Sequence, residues 1–434
     1  MLYPENLTVN NQGHLCIAGQ DTVSLAREFG TPLYVLNEDK VRQNCRGYKT
    51  AIDTYYGGNG LALYASKALC TMYTARIAAS EGLGADVVSG GEIYTLKKAG
   101  FPMEKVFFHG NNKTPDEIQL ALDCGVGHIV VDNVYELDTL NKIAASKGMV
   151  QKILFRIKPG IDAHTHDFVR TGQIDSKFGV ALENGEAFEI HKYAVTLENI
   201  CVDGVHCHIG SQIFDVDPFK EAAKVMMNFI SDLRDKLGID PHILNLGGGF
   251  GIKYVESDDP LAPYEYVKAA IDVVKEVATE RNMPLPYLVF EPGRSIVAEA
   301  GITLYTVGCV KDIENVRTYV SVDGGMTDNP RYIMYGAKYS ACIANKANAE
   351  NVKEVTIAGK CCESGDLIQE NVKLPLTEVG DTLAVLATGA YNYSMSSNYN
   401  RIPRPAMVAV KENGEKKVII KRETYEDIIK NDLL

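Results

Sequence analysis

Between residues 60 and 291 short apolar runs alternate with helix-length segments. The runs span 61–64, 85–88, 105–108, 128–131, 153–157, 204–207, 243–246 and 288–290. Most are continuously apolar, which predicts strands buried on both faces. The intervening segments 72–79, 91–99, 114–122, 136–145, 219–236 and 264–279 predict helices. Thr114-Pro115-Asp116-Glu117 is a helix start, with Pro in the first turn and acids complementing the dipole. Eight β/α alternations predict a parallel (β/α)8, TIM-like barrel.

After about 300 the pattern changes. Apolar runs at 319–322, 354–357, 383–386, 406–410 and 417–420 are split by Gly, Asn and Pro, which predicts a second, mostly antiparallel β-domain. Runs at 15–17 and 33–35 carry the same strand signal. The expected division is 1–35 as strands contributed to the β-domain, 36–300 as the barrel and 301–434 as the C-terminal β-domain. Two domains also suit 434 residues, too many for one ordinary core. The interval 159–179 is long and polar and lies just past the fifth strand, where a lid or mobile segment is expected.

Composition narrows the function. Hydrophobic residues make up 46% and charged residues 23%, an ordinary globular balance. A net charge of −12 argues against nucleic acid or an anionic membrane as the main partner. No apolar stretch approaches the ~18 residues that span a bilayer. Met1-Leu2-Tyr3-Pro4-Glu5-Asn6 lacks the basic-then-apolar pattern of a signal peptide. A cytoplasmic location is expected. Ten cysteines without a CxxC pair suggest reduced thiols rather than a disulfide framework or a zinc knuckle.

In such barrels the strand C-terminal ends carry the chemistry. Here those ends read Lys67, Ser89-Gly90-Gly91, His109, Asp132-Asn133, Arg156 and Lys158, His208, Gly247-Gly248-Gly249 and Glu291. Packing requires far less polarity. A lysine ending a buried strand is costly to desolvate, which lowers its pKa toward the neutral amine that Schiff-base chemistry needs. Taken alone, such a lysine more often marks a strand emerging into solvent. Gly247-Gly248-Gly249-Phe250-Gly251 lets backbone N–H groups approach a phosphate, yet it lacks the Lys-Ser/Thr of a P-loop. A tight structural turn explains that run equally well. Glu291-Pro292-Gly293-Arg294 offers an acid for a ring nitrogen and an anion-gripping guanidinium, or a plain ion pair. In His206-Cys207-His208-Ile209-Gly210-Ser211 the two histidines share a face, but no third metal ligand follows at a recognisable spacing, so no metal is expected. An imidazole can instead stack on a flat ring, and Ser211 is placed to bond a phosphate. Cys361-Cys362-Glu363 offers a proton donor or buried bystanders. A lysine amine, a ring stacker, a phosphate cradle and a ring-nitrogen acid together describe a pyridoxal phosphate site.

On these residues the chain resembles the fold type III pyridoxal-phosphate-dependent amino-acid decarboxylases along nearly its whole length. The landmarks continue through Asp323-Gly324-Gly325-Met326-Thr327-Asp328-Asn329-Pro330-Arg331, Met334-Tyr335-Gly336, Cys362-Glu363-Ser364-Gly365-Asp366 and Gly389-Ala390-Tyr391. The resemblance implies that Lys67 holds pyridoxal 5'-phosphate as an internal aldimine and that His208 stacks on its ring. It implies that Gly248, Gly249, Gly293, Arg294 and Tyr391 hold the phosphate region with help from Ser211, and that Glu291 pairs with the ring nitrogen. Arg294, Arg331, Tyr335, Glu363 and Tyr391 are implied as substrate contacts. Cys362 is implied as a proton donor delivered from a partner subunit, so a homodimer with shared active sites is expected. An acid at the ring nitrogen keeps it protonated and favours loss of carbon dioxide, through a quinonoid, over racemisation. Lys67 and Cys362 both remain candidates for the final proton transfer. The expected reaction is meso-2,6-diaminopimelate to L-lysine and carbon dioxide, the last step of lysine biosynthesis. Decarboxylation of ornithine, arginine or carboxynorspermidine is the alternative.

Overall fold

The computed structural model describes residues 4–161 and 176–433. Most of the segment expected to form a lid, residues 162–175, lies outside them. The chain divides into two compact units. One comprises 44–252 and 260–295; the other comprises 1–43, 253–259 and 296–434. The sequence placed its divisions at 35 and 300 and did not set 253–259 apart.

The first unit is the closed parallel barrel. Its strands are β1 (Gly60–Ala65), β2 (Gly84–Val87), β3 (Val106–Phe108), β4 (His128–Val131), β5 (Gln151–Lys158), β6 (Ile200–His206), β7 (Ile243–Asn245) and β8 (Tyr287–Phe290). Each pairs in parallel with its neighbours, and β8 returns to β1. Six of these strands supply an interior cluster of Leu63, Phe107, Val130, Leu154, Ile243 and Val289. The expected helices are present, and the structure adds Glu38–Tyr56 and Glu186–Ala194. The expected start at Thr114 is a capping box. Thr114 Oγ1 accepts from the Glu117 N–H at 3.3 Å, and Glu117 Oε2 accepts from the Thr114 N–H at 3.0 Å.

The second unit is built on a mixed sheet. Its order is Leu367–Leu374, Lys353–Ala358, Arg317–Val322, Gly301–Ile313, Leu33–Asn37, Ala406–Val410 and Lys416–Ile420. Most pairings are antiparallel; those of Arg317–Val322 with Lys353–Ala358 and of Leu33–Asn37 with Ala406–Val410 are parallel. A separate three-stranded antiparallel sheet holds Leu7–Val9, Leu15–Ile17 and Gln20–Asp21. The central strand, Gly301–Ile313, was not expected. Its first half is buried and apolar, while its second half carries exposed Lys311 and Asp312, so no single periodicity runs through it. The pairing with Arg317–Val322 shifts register between Val307 and Cys309, where Gly308 sits.

Among the described residues no helix is long and apolar enough to cross a membrane. All ten cysteines are free thiols.

Candidate active site

Strand alternation builds a polar layer directly above the apolar interior of the barrel. Residues two apart on a strand face the same side. Phe107 is followed by His109, Val130 by Asp132, Leu154 by Arg156, Ile243 by Asn245 and Val289 by Glu291. Register joins these positions across strands. His206 on β6 pairs with both Arg156 on β5 and Asn245 on β7. Asn245 pairs with Val289 on β8, two residues before Glu291. The apolar layer fills the barrel, and the polar layer caps it at the C-terminal end.

Glu291 is the centre of this layer and is buried. Its Oε1 accepts from Asn245 Nδ2 at 2.7 Å and lies 2.9 Å from His109 Nε2. Its Oε2 lies 3.4 Å from His206 Nε2. Burial pushes the carboxyl up, but the imidazoles of His109 and His206 outweigh it and hold Glu291 well below the usual carboxylate range. His206 is itself fully buried, and burial pushes its pKa down to about 4. Its Nδ1 is buried without a hydrogen-bond partner among the described residues. A neutral ring with a bare Nδ1 carries its proton on Nε2, the atom facing Glu291. The layer thus presents a buried anion faced by the N–H groups of Asn245 and His206.

The glycine turn after β7 lies against this acid. Asn245 Oδ1 accepts from the Gly247 N–H at 2.9 Å, and Gly247 O accepts from the Glu291 N–H at 2.7 Å. A Cβ on Gly248 would stand 2.2 Å from Glu291 O. Gly249 has φ +111, and its Cβ would stand 2.5 Å from Gly210 O. Only glycine fits these two positions. The Gly248 N–H donates to His208 Nδ1 at 3.3 Å. Burial, then the charge of Lys67, holds His208 well below the usual imidazole range. His208 is therefore a neutral flat ring with an accepting Nδ1. Arg294 is buried, and its Nη2 donates to Ser211 Oγ at 2.7 Å, joining the turns after β8 and β6.

Lys67 departs from expectation in one respect. It sits in a single turn, Ser66–Ala68, directly after β1, and it is exposed between buried Ser66 and Ala68. The barrel wall ends at Ala65, so the turn carries the lysine out of the interior rather than burying it. Its charged neighbourhood is acidic instead. Lys67 acts on Asp86, whose carboxyl burial pushes up, and on Glu92, which burial pushes up to about 7.

The second unit contains its own cationic cluster. Arg331 opens the helical turn Arg331–Tyr335 and is buried. Its Nη1 donates to Tyr339 Oη at 2.9 Å and to Tyr254 Oη at 3.4 Å. Its guanidinium lies 5.1 Å from the Tyr391 ring centre and 5.7 Å from that of Tyr335. None of these partners is a carboxylate, so the cation retains its capacity to receive one. Gly389, Ala390 and Tyr391 follow the strand Thr382–Val385, and Tyr391 adopts φ +68.

The two adjacent cysteines differ. Cys361 is buried, its N–H donates to Asp366 Oδ2 at 2.7 Å, and burial followed by Asp366 pushes its thiol up to about 12. Cys362 and Glu363 are exposed. The Cys362 N–H donates to Asn400 Oδ1 at 2.8 Å, and Tyr399 Oη lies 3.5 Å from Glu363 Oε2. Asp366 also accepts from the Met326 N–H at 2.6 Å, so it ties the two loops together.

The barrel unit therefore brings together His208, Ser211, Gly248, Gly249, Glu291, Gly293 and Arg294, with Lys67 at the end of β1. The second unit groups Arg331, Tyr335 and Tyr391. Sequence reasoning gave no role to Asn245, Tyr254 or Tyr339. Asn245 carried a faint signal, a lone amide in an apolar strand two residues before the glycine run. Tyr254 and Tyr339 carried none, because they lie far from Arg331 or in no motif.

Comparison with known proteins gives a consistent picture. Residues 38–298 match the pyridoxal-binding domain of the pyridoxal-dependent decarboxylases. The diaminopimelate decarboxylase of Bacillus methanolicus is 50% identical over 423 residues, covering 98% of both chains. That of Bacillus subtilis is 50% identical over 424 residues, covering 98% of this chain and 96% of its own. A crystal structure of diaminopimelate decarboxylase from M. jannaschii in complex with L-lysine superimposes with a TM-score of 0.93 at 37% identity, covering 100% of this chain and 99% of that one. The barrel residues fit pyridoxal phosphate: an ionised acid for the ring nitrogen, a neutral ring to stack, and a glycine turn with no room for a Cβ.

Proposed function

The chain belongs to the diaminopimelate decarboxylases, pyridoxal-dependent enzymes, and from that premise we propose that it converts meso-2,6-diaminopimelate to L-lysine and carbon dioxide. The observation that carries this reading is the buried anionic Glu291, which accepts from Asn245 and lies against His109 and His206, an acid of the kind a ring nitrogen needs. A relative of known structure binds L-lysine, the product proposed here.

Pyridoxal phosphate, when bound, supplies the electron sink for the carbanion left as carbon dioxide departs. The chain's residues do the rest. Lys67 would supply the amine that holds the cofactor. Glu291 would keep the ring nitrogen protonated, because an anion favours the charged form beside it. His208 presents a neutral face for stacking. The turn from Gly247 to Gly249, with Gly293, Arg294 and Ser211, would hold the phosphate region, a role the family resemblance also suggests for Tyr391. Arg331 would receive a substrate carboxylate, which suits a substrate with an amino-acid head at each end; Tyr335, Tyr391 and Glu363 of the same unit, and Arg294 of the barrel unit, are each proposed as substrate contacts. Lys67 or Cys362 returns the proton to the α-carbon.

Cys362 and Glu363 are exposed on their own chain. That exposure supports a homodimer in which Cys362 serves the partner's site. The barrel unit is the proposed cofactor-binding domain and the cytoplasm the proposed location. The test is carbon dioxide release with pyridoxal phosphate, comparing meso-diaminopimelate, L-ornithine, L-arginine and L-lysine. Strong preference for diaminopimelate with lysine accumulating is expected. Preference for ornithine or arginine would move the enzyme to diamine formation and overturn the assignment of Arg331.

A further inference from the structure

We propose that Asn245 is a positioning residue with two separable duties: its amide N–H orients the Glu291 carboxylate toward the cofactor's ring nitrogen, and its carbonyl holds the glycine turn that receives the phosphate. The proposal rests on the reading of Glu291 as the ring-nitrogen acid.

Asn245 ends β7 and is fully buried. Its side chain makes two bonds of opposite sense. Nδ2 donates to Glu291 Oε1 at 2.7 Å, and Oδ1 accepts from the Gly247 N–H at 2.9 Å. The amide cannot flip, because the reversed group would set its NH2 against the Gly247 donor and its oxygen against the carboxylate. Its backbone adds a third link, since Asn245 O accepts from the Cys207 N–H at 2.9 Å. One side chain therefore fixes the relative position of the acid after β8 and the turn after β7. His206 holds the other carboxylate oxygen at 3.4 Å, so Glu291 is clamped from both sides. A clamped carboxylate cannot rotate away when the ring nitrogen arrives, and donors on both oxygens keep it ionised in a buried site.

The two duties separate by substitution. Asn245→Asp keeps an acceptor for the Gly247 N–H and replaces the donor with a second carboxylate oxygen. Two carboxyls at this distance share one proton, which lowers the ability of Glu291 to hold the ring nitrogen protonated. Asn245→Ala removes both bonds. The readouts are pyridoxal phosphate affinity by equilibrium titration, kcat and KM, and the infrared band of a protonated buried carboxyl in variant-minus-wild-type spectra. For Asn245→Asp we expect affinity within about threefold of wild type, a new protonated-carboxyl band, and kcat lowered about tenfold or more with little change in KM. For Asn245→Ala we expect cofactor affinity to fall about tenfold as well. A purely structural role would move affinity, kcat and thermal stability together in both variants, and that result would overturn the proposal. So would Asn245→Asp with wild-type kcat and no new band.

If Asn245→Asp does not fold, the His206 clamp carries the same test. His206→Gln keeps a donor and should retain most turnover; His206→Leu should lose about fivefold or more in kcat, and equal activities would overturn the clamp. Glu291→Gln is the control for the underlying reading. Wild-type kcat in that variant removes the ring-nitrogen role itself. A large loss there with none in Asn245→Asp removes only the present proposal.

Discussion

Glu291→Gln is nearly isosteric, yet the surroundings of Glu291 make it far from neutral. The carboxylate accepts from Asn245 on Oε1 and faces the His206 N–H on Oε2. A glutamine carries one oxygen and one NH2. Whichever way it is placed, one of the two donors meets another donor. Asn245 is pinned by the Gly247 N–H, so the glutamine oxygen must face Asn245 and its NH2 must face His206. His206 can relieve that clash by moving its proton to Nδ1, which has no partner among the described residues. The expected cost in stability is therefore small, about 1 kcal/mol or somewhat more, the penalty of one poorly satisfied buried group. The catalytic cost is larger. On the role proposed for Glu291, the ring nitrogen would lose an anionic partner in a buried site, worth about 2–4 kcal/mol by analogy with other buried charge-stabilising groups, or about thirtyfold to a thousandfold in kcat. The assay is steady-state decarboxylation with cofactor saturating, alongside a urea unfolding curve. A kcat within threefold of wild type would refute the reasoning. A stability loss above about 4 kcal/mol would refute the tautomer argument.

Three further outcomes are expected. Mixing Lys67→Ala with Cys362→Ala subunits, each inactive or impaired alone, should restore activity if sites are shared; confirmed heterodimers without rescue would remove the cross-subunit role of Cys362. Arg331→Met keeps the bulk but deletes a buried cation, so KM for diaminopimelate should rise about thirtyfold or more, from the 2–5 kcal/mol typical of a truncated buried charge pair; an unchanged KM and kcat would exclude it from substrate binding. At the opposite end of the barrel strands, Asp203 lies 2.9 Å from His128 Nε2, 3.1 Å from Lys152 Nζ and 3.3 Å from His242 Nδ1. The His128 bond, opposed by burial and aided by Lys152, holds its carboxyl far below the usual range. A depressed folded pKa contributes stability above the unfolded value, about 3.9 for aspartate, and loses it as pH falls. Asp203→Asn should therefore be less stable at pH 7 but show a flatter decline in urea midpoint on acidification; parallel pH profiles for the two proteins would contradict this.

The chain's periodicity determined the barrel. Eight apolar runs alternating with helix-length segments leave few alternatives, because only a closed parallel sheet covered by helices buries them all. The places of the candidate residues were legible too. Lys67, His208, Gly248, Gly249, Glu291 and Arg294 stand at strand ends or in turns, and sequence marks those places by residue type. The long central strand Gly301–Ile313 was not legible, because its burial changes halfway along and a single periodicity cannot describe it. Nor was the exposure of Lys67, which depends on where the barrel wall stops. The polar layer was decided by tertiary structure alone. Asn245 is one amide in an apolar strand until parallel register sets it beside His206 and two positions below Glu291. Hydrogen bonds across strands of the barrel, not neighbours in sequence, fix the charge of Glu291. Residue type along a chain announces which groups are available; only the closed sheet determines which of them meet.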